Sequence, residues 1–135
     1  MPHPAFAILG IIVTLTLAGC EGSPARLALL PDDELPGQAT LNLCEAWHFS
    51  GNDRYLAAVE RQQAFSAREF AAISAKRLYI GMRTKALLCA WGIPLRTNRL
   101  VSEHVVVTRY VYRSGSRTDY IYTFQGKITE FRTSE

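Results

Sequence analysis

The chain has 135 residues, a formal net charge of +3 and 48% hydrophobic residues. This length is enough for one folded domain and excludes two domains with separate cores. The charge is unevenly distributed, since residues 20–67 hold 3 Lys and Arg against 7 Asp and Glu, whereas residues 68–135 hold 12 against 5. The C-terminal half therefore carries the basic surface.

An uncharged apolar segment lies near the N-terminus, from Ala5 to Ala18. At about 14 residues it is shorter than the roughly 20 that a transmembrane helix needs, so it predicts the apolar region of a signal peptide. Leu17-Ala18-Gly19-Cys20 then resembles a bacterial lipobox, in which the signal is cut before the cysteine and the thiol receives a diacylglycerol. We expect residues 1–19 to be a lipoprotein signal peptide and Cys20 to be lipidated. An ordinary signal peptide followed by a chance cysteine is the alternative.

Lipidation would place the protein on a membrane without spanning it. Buried acyl chains contribute about 0.8 kcal/mol per methylene, so two or three chains hold a protein on the bilayer almost permanently. Glu21 follows the cysteine where, in lipoproteins of this type, an Asp tends to retain the protein at the inner membrane. We therefore expect an anchor in the outer membrane, on its periplasmic face. The proline- and glycine-rich residues 20–39 are predicted to be a tether.

The three cysteines also bear on redox state. Lipidation of Cys20 leaves Cys44 and Cys89 in a compartment that oxidises thiols, which predicts a disulfide between them. Closing a loop of this size stabilises a small core by about 4 kcal/mol in the chain-entropy model. Two separately buried thiols are the alternative, because free cysteine is among the most buried residue types.

Helical signals occupy the middle of the chain. Asn52 or Asp53 caps a segment, RYLAAVERQQA, whose apolar residues share one side. Those residues are Leu56, Val59 and Ala64. A second helix begins at Ser66, because Glu69 completes a capping box and Phe65 is placed to pack on Phe70 as a hydrophobic staple. Its predicted inward residues are Phe70, Ile73 and Leu78.

The third predicted helix is the apolar segment KALLCAW, with Thr84 as its cap and Trp91 as its last residue. Apolar residues on nearly every side predict a largely buried helix. Gly92 suits the left-handed position after a helix, and Pro94 cannot continue one. The helix is therefore expected to end at this point for backbone reasons.

Beyond Pro94 the hydrophobic period changes to two, which predicts strands. The predicted elements are a short strand at Leu95–Leu100, a strand in HVVVTRYVYR, a turn at Ser114–Arg117, a strand at Tyr120–Phe124, a hairpin turn at Gln125-Gly126 and an edge strand at Lys127–Arg132. We expect residues 40–135 to form a single α+β domain, with two or three helices packed on a three- to four-stranded antiparallel meander sheet. The pattern does not decide which tyrosines lie beneath the helices and which lie on the open face.

The sequence contains few candidate catalytic or metal-binding residues. His48 and His104 are the only histidines beyond residue 20, and neither has a metal-ligand spacing to the other or to a cysteine. Cys89 with His104, and Asp119 or Glu103 as a third member, is the best candidate for catalysis. However, a helix C-terminus among apolar residues disfavours a thiolate at Cys89. We therefore expect no enzyme activity, no metal site and no cofactor.

Arginines in the predicted sheet are the main candidates for binding. Behind a lipobox, nucleic acid is not an expected partner, whereas anionic lipid headgroups, lipopolysaccharide phosphates and acidic protein surfaces are. The candidate binding residues are Arg96, Arg99, Arg109, Arg113, Tyr110 and Tyr112, with Arg117 as a further basic residue. The alternative for any one of these arginines is a solvated strand edge whose charge discourages aggregation.

Residues 79–132 resemble the small outer-membrane lipoproteins of the SmpA/OmlA type, which include the BamE component of the β-barrel assembly machinery. The matching motifs are Ile80-Gly81-Met82, Trp91-Gly92-Ile93-Pro94, Asn98-Arg99, Tyr110-Val-Tyr112, Tyr120-Ile-Tyr122 and Gly126-Lys127-Ile128. The resemblance implies two helices on a three-stranded antiparallel sheet, also seen in β-lactamase-inhibitor-like modules, and implies binding without catalysis. We expect a scaffold that supports outer-membrane protein assembly or envelope integrity. The alternative is an inhibitor or immunity lipoprotein that binds an envelope enzyme or receptor.

Overall fold

The computed structural model describes residues 22–135, so the predicted signal peptide and Cys20 lie outside the described residues. The helices are α1 (Pro24–Leu27), α2 (Thr40–Ser50), α3 (Asp53–Arg61), α4 (Ala67–Ser74) and α5 (Thr84–Trp91), with a 3₁₀ turn at Leu35–Gly37. The strands are β1 (Arg96–Ser102), β2 (Val105–Ser114), β3 (Arg117–Phe124) and β4 (Lys127–Ser134). They form one antiparallel sheet in the order β1-β2-β3-β4. The predicted α+β class and meander sheet are confirmed.

Helix α2 is an element that the sequence pattern did not predict. Its buried residues, Leu43, Cys44, Ala46 and Trp47, share one face. However, Leu41 and Phe49 on the exposed side are also apolar, so the sequence shows no one-sided stripe. Ala39 precedes the helix and provides no side-chain cap. Because neither a cap nor a one-sided apolar stripe marks α2, only its packing against the other helices reveals it. Gly51 ends the helix in the left-handed conformation, with φ of 67°.

The segment predicted as a tether is packed against the helices, so that expectation is wrong for residues 24–38. Leu27 and Leu35 are fully buried in the core. Arg54 of α3 donates a hydrogen bond to the Asp32 carboxylate at 2.8 Å and another to a backbone carbonyl in the same segment. The prolines and glycines interrupt any regular period, but single leucines between them still reach the core.

The start of α4 agrees closely with its prediction. The Ser66 hydroxyl accepts a hydrogen bond from the Glu69 backbone N–H at 3.2 Å, and the Glu69 carboxylate accepts one from the Ser66 N–H at 3.0 Å. The predicted capping box is therefore confirmed. The N-cap of α5 differs from prediction, because it is Arg83 and has no side-chain cap bond. Thr84 is instead tied by its N–H to the Gly126 carbonyl in the β3–β4 turn, at 2.9 Å.

A disulfide joins α2 to α5 in the centre of the helical layer. The sulfur atoms of Cys44 and Cys89 are 1.93 Å apart, as the sequence predicts. Both residues are buried within a core cluster that also includes Ile121 and Ile128 from the sheet. The bridge therefore links the two helices at the point where they pack over the strands.

The register of the sheet decides which side chains face this core. Tyr110 pairs with Ile121, which is buried, whereas Arg109 pairs with Tyr122. Side chains of paired residues lie on the same face, and successive residues alternate between faces. Tyr110 and Tyr112 therefore lie beneath the helices, and Tyr120 and Tyr122 lie on the open face.

Candidate binding face on the open side of the sheet

The sheet face that points away from the helices carries a cluster of arginines and tyrosines. We define the arginine face as Arg96 of β1, Arg109 and Arg113 of β2, Tyr120 and Tyr122 of β3, and Arg132 of β4. These six residues line an open cleft of about 500 Å³. All four strands contribute, so the face depends on the complete meander.

Val111 lies at the centre of this face and explains part of its construction. It pairs with Tyr120 on β3 and with Arg96 on β1. Although no helix among residues 22–135 covers it, only 8% of Val111 is exposed. Neighbouring long side chains therefore shield it, since the apolar stems of arginine can cover apolar surface while the guanidinium remains in water.

Arg109 is held in place by its neighbours but retains binding capacity. Its Nη2 atom donates to the Asn98 side-chain oxygen at 3.3 Å, and its guanidinium carbon lies 5.5 Å from the centre of the Tyr120 ring. The Nε atom is buried and has no hydrogen-bond partner among the described residues. Because this nitrogen is buried, an anionic group would reach it only after the Arg109 side chain moved.

Arg132 is oriented in a similar way at the other side of the face. Its guanidinium carbon lies 5.2 Å from the centre of the Tyr122 ring, and its Nε donates to the Glu130 carboxylate at 2.5 Å. The hydrogen bond to Glu130 raises the pKa of Arg132 above its usual value, so its positive charge is permanent. Guanidinium groups suit planar anions such as carboxylates, and Glu130 already supplies one carboxylate to Arg132.

The predicted binding residues do not all meet on this face. Arg96, Arg109 and Arg113 do, but Tyr110 and Tyr112 lie on the helix side of the sheet. Arg99 also lies on that side, because it pairs with Thr108. Successive residues of a strand point to opposite faces of the sheet, so neighbouring residues such as Arg109 and Tyr110 do not share a binding surface.

Arg117 is occupied elsewhere. It donates to the Asp119 carboxylate at 2.9 and 3.0 Å. Asp119 is largely buried and also accepts a hydrogen bond from the Thr133 hydroxyl at 2.7 Å. The charge of Arg117 therefore compensates a carboxylate on the helix side of the sheet and does not add to the arginine face.

Three members of the arginine face were not predicted as binding residues. They are Tyr120, Tyr122 and Arg132. The β2–β3 turn could have predicted the positions of the two tyrosines. In this turn Ser114 pairs with Arg117 across Gly115 and Ser116. A two-residue turn fixes the register of its hairpin, and the register places Tyr120 and Tyr122 opposite Val111 and Arg109.

His48 lies beside Cys89, whose sulfur is not a free thiol. His48 Nε2 lies 2.8 Å from the Cys89 carbonyl oxygen, and the Cys89 sulfur is bonded to Cys44. Among residues 22–135, no group of three or more His, Cys, Asp or Glu side chains is arranged to hold a metal ion. Within the same residues, no helix has the length and apolar character needed to span a membrane.

Comparisons with known protein families, with curated proteins and with solved structures found no match to this chain. The resemblance of residues 79–132 to the SmpA/OmlA lipoproteins therefore rests on sequence motifs alone.

Proposed function

We propose that this protein is a lipid-anchored binding protein of the bacterial outer membrane, held on the periplasmic face through Cys20. The arginine face docks an acidic surface of another envelope protein. The observation that carries the proposal is the convergence of four arginines and two tyrosines on a sheet face that none of the described helices covers. The protein acts by binding and not by catalysis.

The chemistry of this face supports a protein partner. Arginine and tyrosine are enriched among the residues that dominate binding energy at protein interfaces. The ring contacts of Arg109 and Arg132 hold their guanidinium groups in place, so less side-chain entropy is lost on binding. Carboxylates of a partner would pair with these guanidinium groups.

The biological role follows from the sequence motifs. The lipobox pattern at Leu17–Cys20 supports attachment to the outer membrane, and the motif order over residues 79–132 is similar to that of the SmpA/OmlA lipoproteins. We therefore place the protein among scaffolds that support outer-membrane protein assembly or envelope integrity. Its partner is a component of the same envelope, because the lipid restricts the protein to that compartment.

Crosslinking in intact envelopes, followed by purification of the full-length protein, tests this function. We expect an outer-membrane assembly component to be captured, and Arg109→Glu together with Arg113→Glu to abolish capture. Arg77→Glu is the matched control, because Arg77 is exposed and lies beyond the end of α4, outside the arginine face. Capture that survives the double substitution would exclude the arginine face as the docking surface. Capture of one soluble hydrolase instead would favour an inhibitor.

The anchor is tested separately by Cys20→Ala. We expect this variant to leave the membrane fraction and to appear in the soluble periplasmic fraction, because it lacks the acyl chains. Unchanged membrane fractionation would exclude lipidation of Cys20 as the anchor.

A further inference from the structure

The described chain begins in close contact with helix α2. A Cβ atom at Gly22 would lie 1.9 Å from the Asn42 side-chain nitrogen, so only the absence of a side chain permits this approach. Residues 24–38 are packed onto the helices, so the chain that follows Gly22 is held close to them. An extended chain spans at most about 3.6 Å per residue, so Cys20 can lie no further than about 7 Å from Gly22.

Asn42 lies at the wall of a groove between α2 and the connection from α5 to β1. The groove has a volume of about 550 Å³. We define the apolar groove by its main apolar lining residues, which are Leu41, Phe49, Leu88, Ile93, Pro94 and Tyr110. Phe49 is 82% exposed and Ile93 is 73% exposed, and Leu41 is exposed as well. Contiguous exposed apolar residues of this kind mark a surface that contacts a protein or a membrane.

The polar groups at the groove do not suit an anionic ligand. Among the described residues that line it, Glu45 is the only one with a formal charge. His48 also lines it, but the Nε2 atom is already within hydrogen-bond distance of the Cys89 carbonyl oxygen. Hydrocarbon is therefore a better match to the groove than phosphate or carboxylate. The groove is also separate from the arginine face, because its Thr97 and Tyr110 lie on the helix side of the sheet.

We propose that the apolar groove faces the bilayer and that Phe49 and Ile93 contact its phospholipids. This inference rests on the lipid attachment at Cys20 in the proposed function. The lipid on Cys20 holds that residue at the membrane surface, and the short reach to Gly22 brings Asn42 and the groove to the same surface. Burial of the exposed phenylalanine and isoleucine side chains in the interfacial region then favours one orientation. The arginine face, on the opposite side of the sheet, remains accessible to a protein partner.

Site-specific photocrosslinking of the full-length lipidated protein in intact envelopes tests this orientation. The photoreactive residue p-benzoylphenylalanine replaces Phe49 or Ile93, and replaces Ser116 in the exposed β2–β3 turn as a control. The two groove positions are exposed, so the substitutions leave the core intact. We expect the mass of one phospholipid to be added at positions 49 and 93, severalfold more often than at position 116.

The other outcomes separate this inference from the proposed function. Mass spectrometry that shows a lipidated Cys20 but equal phospholipid adducts at the three positions would overturn the orientation and leave the anchor intact. Adducts of a protein, or of the acyl chains on Cys20 itself, at positions 49 and 93 would also overturn it, because the groove would have another occupant. An unmodified Cys20 would exclude both the lipid anchor and the orientation of the groove that we infer from it.

Discussion

The buried carboxylate of Glu69 accepts two hydrogen bonds from the Arg83 guanidinium, at 2.7 Å from Nε and 2.5 Å from Nη2. Glu69 is in the first turn of α4, and Arg83 immediately precedes α5. These bonds lower the pKa of Glu69 from 4.5 to about 2, and the Ser66 N–H contributes in the same direction. One ion pair therefore joins the beginnings of two consecutive helices, between residues 14 positions apart.

Acid should weaken the fold through this pair. Because the folded-state pKa of Glu69 is below its unfolded value, its contribution is complete above pH 4.5 and is lost as the pH falls toward 2. We expect Glu69→Gln to lower the free energy of unfolding at pH 7 by about 3 kcal/mol, with a much smaller difference from wild type near pH 2. Urea unfolding across this pH range measures both values. Glu130→Gln is the control and should change stability by less than about 0.5 kcal/mol, since its pair with Arg132 is exposed.

The bridge between Cys44 and Cys89 should carry a large part of the stability. Replacing both cysteines by alanine avoids free thiols, and we expect it to lower the free energy of unfolding by about 4 kcal/mol, because the bridge spans 45 residues. A reducing agent should destabilise the wild type by a similar amount and leave the double variant unchanged. Equal urea midpoints for the oxidised and reduced wild type would contradict this prediction.

Gly92 is predicted to resist substitution at the end of α5. Its φ of 80° and ψ of −158° are accessible almost only to glycine. An added Cβ would also lie 3.4 Å from the His48 ring. We expect Gly92→Ala to lower the free energy of unfolding by about 1–3 kcal/mol, measured by thermal or urea unfolding. Gly37→Ala is the matched control, because no atom lies within 4 Å of its added Cβ, and an equal effect of both variants would refute the argument.

Tyr112 should make the fold sensitive to alkaline pH. Burial raises its pKa well above its ordinary value of 10, the charge of Tyr110 adds to this shift, and its hydroxyl donates to the Gly92 carbonyl at 3.1 Å. Because the folded-state pKa exceeds the unfolded value, the stabilisation is complete below pH 10 and is lost above it. We expect Tyr112→Phe to leave the phenolate absorbance that develops near pH 10 unchanged. The variant should also lose less stability than the wild type above that pH. A reduced phenolate signal in the variant near pH 10 would show that Tyr112 titrates normally.

Much of the fold follows from local signals in the sequence. Ser66 and Glu69 form their capping box from residues three apart, and the hairpin at Gln125-Gly126 is defined by adjacent residues. Alternation in β2 and β3 likewise predicts strands without knowledge of their partners. The pairing of Cys44 with Cys89 was also predictable, because only two cysteines remain once Cys20 is assigned to the lipid. These features depend on residues that are close together in the sequence or on the number of cysteines.

Other features required the tertiary structure. Helix α2 lacks a cap and a one-sided apolar stripe, and Leu27 and Leu35 belong to no periodic pattern, so only packing shows that both segments join the core. The sequence predicts the candidate site in part, since Arg96, Arg109 and Arg113 lie on the arginine face, whereas Tyr110 and Tyr112 lie on the other face.

The sequence by itself determined where the strands are and which residues cap α4, and it favoured the pairing of Cys44 with Cys89. The tertiary structure decided that Tyr120 and Tyr122, and not Tyr110 and Tyr112, share a face with the arginines. The physical reason is that strand formation depends on local alternation, whereas the face that becomes buried depends on where the helices pack.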